Sequence, residues 1–436
     1  MVADDPLVRS RRRRVTTIVP YLLAHFAKSQ LWHASTLLFA FFLTEACGLS
    51  VGEMGAIMAG SLILNAGIDA VLGLRWRTTV ADIADAARLQ ALGAPVTGGF
   101  FVLFCGTPLL PYEYRLGWGL VTLLGFRASY PFVDVAQNAV VALAALDDEA
   151  RCALLAGRNI ASGLAALVIG GLAAPLLTHR HESGMWLGWG TCIATIMYGT
   201  AWWLGRTKFV GRAASPTPSS DMATRLPFIA LLAALAIMMT GTATFRTLEP
   251  YHAAFSGNGA GLLFWAAIGG LASQILWLAG RRRLTFINIL VIAAVLSGMA
   301  GIGLLRGTAP GAVIAGLAFG MATGGVWLVL WSAMMSVAAT GNATGYVGVF
   351  TGVSKCAQAL ALMLLSRVLA SSPYRDTLSY PWSAPSLLMV YAIGATGVTS
   401  LALAVAYALN RTTYDGTPAT PRPAVLTIPV PDRRRR

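Results

Sequence analysis

The chain has 436 residues, 56% of them hydrophobic and 11% charged, with a mean hydropathy of +0.66; a water-soluble domain carries roughly a quarter charged residues, so a soluble fold is excluded. A net charge of +14 would suit a nucleic-acid binder only if Lys and Arg formed a stripe on a soluble face, and here they fall between apolar runs. The five cysteines, Cys47, Cys105, Cys152, Cys192 and Cys356, lie in or at the ends of those runs without C-x-x-C spacing, and read as small apolar residues rather than zinc or redox ligands.

Lipid offers no partner to an unpaired backbone group, so each crossing needs about 20 mainly apolar residues wound as a helix. In chain order the apolar runs predict helices over 18–44, 52–74, 92–111, 116–146, 152–178 and 184–205, then over 226–248, 259–280, 284–305, 309–339, 344–370 and 384–409. The basic run of Arg9 and Arg11 to Arg14 precedes a full-length apolar stretch without a small-residue cleavage site, which predicts a first transmembrane helix rather than a signal peptide. Between the sixth and seventh runs, residues 206–225 hold Ser215, Pro216, Pro218, Ser219, Ser220 and five charges, the composition of a solvated linker.

The expected architecture is therefore all-α and integral to the membrane. It comprises a basic N-tail (1–17), a six-helix bundle (18–205), the linker (206–225), a second six-helix bundle (226–410) and a disordered C-tail (411–436). Two six-helix halves around a central solute path are the major-facilitator plan.

The positive-inside rule orients this plan. With a cytoplasmic N-terminus, 23 of the 32 Lys and Arg residues fall on inner segments and six, Arg115, Arg180, Arg246, Arg306, Arg367 and Arg375, on the outer side. Lys28, Arg127 and Lys355 remain within helices. This asymmetry predicts an even helix count in a bacterial inner membrane, with both termini cytoplasmic. The terminal Arg433 to Arg436 are expected near anionic headgroups.

An ionised group near the bilayer centre costs at least a few kcal/mol, so it normally faces a partner or a wet cavity. Asp69, Asp134, Lys28 and Lys355 are the clearest such positions, with Arg127 and Arg158 nearer helix ends. Spacing of four puts Asn65 with Asp69, Asp134 with Asn138, Thr351 with Lys355, and the ladder His25, Ser29, His33 each on one helical face. Two readings stand for the aspartates: fixed ion pairs with lysines between helices, or a role in binding and coupling. Arg127, Arg115 and Arg246 read equally well as snorkelling side chains, and His25 and His33 as helix-packing groups or proton carriers. Paired glycines such as Gly98-Gly99, Gly170-Gly171, Gly269-Gly270 and Gly324-Gly325 lack the context of a phosphate loop and are expected to let helices approach. Trp118, Trp186, Trp202, Trp203 and Trp382 fall near helix ends, where interfacial anchoring is expected.

Several short stretches in register resemble one family. Thr44-Glu45-Ala46-Cys47-Gly48-Leu49-Ser50-Val51-Gly52 resembles a T-D-x-x-G-L-S-x-G turn, and Asn65 to Gly73 a D-A-x-x-D-P-x-x-G stretch. Tyr130 to Asp134 resembles Y-x-x-x-D, residues 146–151 an L-D-x-x-x-R turn, and Thr351 to Lys355 the end of a Q-T-x-x-x-K motif. These belong to the glycoside/pentoside/hexuronide:cation symporters, the melibiose permease-like branch of the major facilitator superfamily. The resemblance implies a substrate site containing Asp134, Arg158 and Lys355, joined by Asn138 and Thr351 on the evidence of spacing and by Lys28 as a charge within a helix. It also implies a sodium, lithium or proton site involving Asp69 and Asp134, with Asn65 adjacent.

Three departures matter: the family's helix-one acid falls at Ser29, its first helix-two acid at Asn65, and its acidic motif after helix ten in Met334 to Ala339, which holds no acid. Sodium wants several hard oxygens with enough negative charge, whereas proton coupling needs one carboxylate. The expected function is secondary active transport of a small polar solute, sugar-like and anionic, by a monomer without cofactor, metal or nucleic-acid partner. Alternatives are efflux or amphiphile transport, and a non-transporting sensor or assembly protein on a transporter scaffold. No H-E-x-x-H or G-x-S context supports an enzyme.

Overall fold

The computed structural model describes residues 6–75, 83–143, 148–207, 226–255, 261–280, 283–338, 343–377 and 383–415. Among them are twelve long helices: α1 (Pro6–Leu37), α2 (Val51–Arg75), α3 (Ile83–Cys105), α4 (Tyr112–Leu143), α5 (Asp148–Thr178), α6 (Ser183–Arg206), α7 (Phe228–Phe255), α8 (Leu262–Gly280), α9 (Phe286–Leu305), α10 (Ala309–Ala338), α11 (Ala343–Ala370) and α12 (Ala384–Asp415). Eight of these are long and apolar enough to cross a membrane on composition alone. The exceptions are α1, α4, α6 and α8. Polar residues in α1 and α4 line an internal cavity, and the apolar part of α8 is shorter. Ile63, Val71, Leu92, Ile229, Ile275 and Val295 are exposed, as lipid-facing side chains would be.

The halves repeat one packing scheme. In the first, α1 packs on α5 and α6, α3 on α4 and α6, and α2 on α4; in the second, α7 packs on α11 and α12, α9 on α10 and α12, and α8 on α10. Each pair recurs six helices later. The contacts between halves obey the same rule, because α2 lies against α11 and α5 against α8. Such an internal twofold places a central path between the halves.

Local sequence explains the boundaries. α1 begins well before the apolar run, so residues 6–17 continue the helix where a tail is expected from the sequence; Arg is a good helix former. α3 starts at Ile83, nine residues earlier than its apolar run, with Asp85 in the first turn, where a carboxylate suits the helix dipole. After α1 the chain makes one turn (Phe39–Phe41) and a π-helical turn (Phe42–Ala46), and Gly48 at φ +74° closes the segment. Residues 208–225 of the linker, 416–436 of the C-tail and Trp382 lie outside the described residues.

The glycines act where helices meet. A Cβ on Gly320 or Gly269 would overlap the Ala266 or Leu317 carbonyl across the α8–α10 contact, and one on Gly316 would come within 2.9 Å of Leu262 O. Gly99 instead has open space around it. Trp186, expected at the interface, is buried at 1% exposure against Phe42 and Trp189. Its indole N–H donates to Arg180 O at 3.1 Å, which satisfies the polar tip without a headgroup.

Candidate functional site

A cavity of about 280 Å³ lies between the halves. α1 brings His25, Lys28, Trp32 and His33 to it, α4 Tyr130, Asp134 and Asn138, and α5 Arg158. From the second half come Arg246 on α7, Trp327 and Trp331 on α10, and Thr351 and Lys355 on α11. Lys28, Asp134, Asn138, Arg158, Thr351 and Lys355 thus share one wall system. Asp69 and Asn65 do not border the cavity.

The charges are arranged in two pairs. Lys28 Nζ donates to Asp134 Oδ1 at 2.7 Å, and Asn138 Nδ2 donates to the same oxygen at 3.2 Å. Behind the cavity wall, Lys355 Nζ donates to Asp69 Oδ2; the lysine side chain is 2% exposed and the carboxylate fully buried. The first pair lies within the first half and the second joins the two halves. Asn65 plays another part, its amide donating to the Arg127 carbonyl inside the first half. Asn65 Oδ1 and Asp69 Oδ1 are buried without a protein partner.

With both aspartates committed to lysines, the remaining cavity cations are guanidinium groups. Arg158 lies over the Trp331 ring at 4.6 Å from its centre, and no carboxylate among the described residues pairs with Arg158 or Arg246. Of the two readings open for Arg246, a snorkelling side chain or a ligand contact, the inward one fits its place on the cavity wall. Arg158 and Arg246 leave opposite sides of the positive-inside tally, so its sign is unchanged. Arg115 is also local, donating to the Leu110, Cys47 and Pro108 carbonyls. His33 Nε2 lies 3.1 Å from Ser162 O, a packing contact between α1 and α5.

Aromatic rings complete the walls. Trp32 stacks on Tyr130 with centres 5.8 Å apart, and Trp327 on Trp331 at 6.2 Å, so each half presents flat apolar surface. Asn159 Nδ2 donates to Gln274 Oε1 at 3.2 Å, pinning α5 to α8. The end where α1 finishes is clamped. Arg375 Nη2 donates to Glu45 Oε1 at 2.9 Å and Tyr374 Oη to the same oxygen at 2.8 Å, while Thr44 and Tyr251 hydroxyls meet at 2.9 Å. Burial and the neighbouring Glu45 carboxylate raise the Tyr374 phenol above its ordinary pKa, so it remains a donor. Glu249, also unremarked in the sequence, accepts the Leu263 N–H at 3.1 Å and caps the start of α8.

Solved transporter structures share this architecture. The xylose transporter XylE from E. coli, in a partially occluded inward-open conformation, aligns over 92% of this chain and 100% of its own at TM-score 0.59 and 12% identity. A POT family transporter solved with a thioalcohol-conjugated peptide aligns over 90% and 96% at TM-score 0.63 and 13% identity. The chain has the fold of these major facilitator transporters. In sequence, YagG of Escherichia coli (strain K12), named as a glycoside/cation symporter, is 29% identical over 160 residues. That match spans 37% of this chain and about a third (35%) of YagG. No protein-family model matches the chain.

Proposed function

We propose that this major facilitator carries a small anionic, ring-containing solute of the acidic-sugar type across the bacterial inner membrane by alternating access, driven by protons. The observation that carries the reading is the cavity's charge: Arg158 and Arg246, one from each half, line the cavity and form no ion pair with a carboxylate among the described residues. A carboxylate held between them would draw the halves together, because charge-assisted bonds to guanidinium are strong and directional. The stacked tryptophans offer faces for the apolar side of a sugar ring, and the partial match to YagG favours a glycoside-like scaffold.

Coupling is assigned to the Asp69–Lys355 pair, which bridges α2 and α11. A sodium ion fits this place poorly, since the Lys355 ammonium already occupies the Asp69 carboxylate. Protonation of Asp69 would release Lys355 and loosen the bridge, allowing the halves to rock. Both termini are taken as cytoplasmic, so the clamp at Glu45 closes the periplasmic end.

The test is uptake by proteoliposomes offered uronates, neutral glycosides and small organic acids under an imposed proton or sodium gradient. Uronate uptake driven by protons is expected. Uptake of neutral glycosides in preference to uronates would overturn the substrate assignment, and a sodium-driven signal lost in Asp69→Asn would overturn the coupling. Ligand binding without flux would favour the scaffold alternative.

A further inference from the structure

A second chamber lies beside the large cavity, bordered by Ser35, Thr36, Arg127, Arg246, Thr247 and Gln358 among others. It leaves about 10 Å³ of room, enough for one water-sized particle. Arg127 is 0% exposed, and its Nε, Nη1 and Nη2 all lack a hydrogen-bond partner. A guanidinium does not shed its proton in a protein, and a buried charge without a counter-charge is among the costliest features a fold can hold. The Trp32 and Phe126 rings, 5.9 and 5.5 Å from its central carbon, spread the charge but do not cancel it. The cavity aspartates are committed, Asp134 to Lys28 and Asp69 to Lys355.

We infer a binding site for one small monovalent inorganic anion, chloride in the first instance, between Arg127 of α4 and Arg246 of α7. Both guanidinium-bearing side chains border this one small chamber. Water would satisfy N–H groups and leave the charge. Arg127 does not border the large cavity, so a solute bound there does not neutralise it. Ser35 and Thr36 spend their hydroxyl protons on the Trp32 carbonyl, with Thr36 also donating to the His33 carbonyl, leaving the arginines as donors. Because α4 and α7 belong to different halves, the ion would bridge them. Arg246 also borders the large cavity, where the proposed solute site uses it, so the ion is tested without solute.

Purified full-length protein, without solute, is melted in sodium chloride, sodium bromide and sodium gluconate at one ionic strength. A saturable rise in Tm with chloride and bromide over gluconate is expected, absent in Arg127→Leu. In gluconate, Arg127→Leu is expected to melt at or above the wild type, since it removes an uncompensated charge; a merely structural arginine gives the opposite sign. Equal Tm of the wild type in chloride and gluconate overturns the site, as does an undiminished halide response in Arg127→Leu. Should that variant fail to fold, Arg246→Gln carries the same test. At least a tenfold rise in the chloride concentration for half effect is expected, and an unchanged one overturns the site.

Discussion

Asp69 on α2 and Lys355 on α11 form an ion pair that crosses the interface between the two six-helix halves, with the lysine side chain 2% and the carboxylate 0% exposed. Every movement of α2 against α11 must stretch, break or re-form it. Removing one partner of such a pair leaves the other charge uncompensated, at about 3–5 kcal/mol, whereas replacing both with apolar groups is often neutral. Asp69→Asn is therefore expected to lower Tm strongly and abolish gradient-driven uptake, while Asp69→Leu with Lys355→Met recovers Tm without uptake. Thermal melting and proteoliposome flux check the two arms. Wild-type stability and coupled transport in Asp69→Asn would remove the pair from the mechanism.

The clamp at the end of α1 makes a separate prediction. Glu45 receives both Arg375 and Tyr374, but the Arg375 side chain is 55% exposed, so solvent screening holds the pair's contribution to about 1 kcal/mol. That corresponds to roughly a fivefold change in the ratio of closed to open states. In a cysteine-free background with a single cysteine at Leu37, which lines the cavity, Glu45→Gln is expected to speed labelling from that side several-fold. Unchanged labelling would show that the aromatic contacts there suffice.

At the α8–α10 contact, Gly320→Val would force a side chain into the Ala266 carbonyl. Overpacking of this kind costs about 1–3 kcal/mol, so a clear fall in Tm is expected. Gly99→Val, with open space around the glycine, is the control and is expected to melt like the wild type. Equal Tm in both variants would mean that the helices part freely.

Helix number was legible because lipid tolerates few alternatives to an apolar helix. The charges that line the cavity were legible where a charge interrupts an apolar run, as at Lys28, Asp134 and Lys355. Partners were not, since helical spacing gives a face but not the neighbour across it: Lys355 meets Asp69 of the other half, and Asp69 lies behind the cavity wall. Arg246 and Arg115 both sit near helix ends, yet one faces the cavity and the other ties carbonyls together. The internal twofold is the signal that separates them. α7 is the counterpart of α1, whose cavity face carries Lys28 and Trp32, and Met239 and Arg246, two turns apart, form the equivalent face of α7.

The substrate's charge is tested by the two free arginines. If the solute carries a carboxylate, Arg158→Gln removes a guanidinium already held against Trp331 and is expected to weaken uronate uptake about tenfold or more, the scale of one charge-assisted hydrogen bond. A neutral analogue of the same ring should lose far less, since it has no carboxylate to bind the guanidinium. Arg246→Gln should act alike from the opposite half. The measurement is competition by acidic and neutral analogues against one labelled solute in each variant. Equal losses for both analogues would mean that the arginines shape the cavity without reading charge, and retention of uronate preference in the double variant would transfer that role to Lys28 and Lys355, whose aspartate partners would then have to release them on binding.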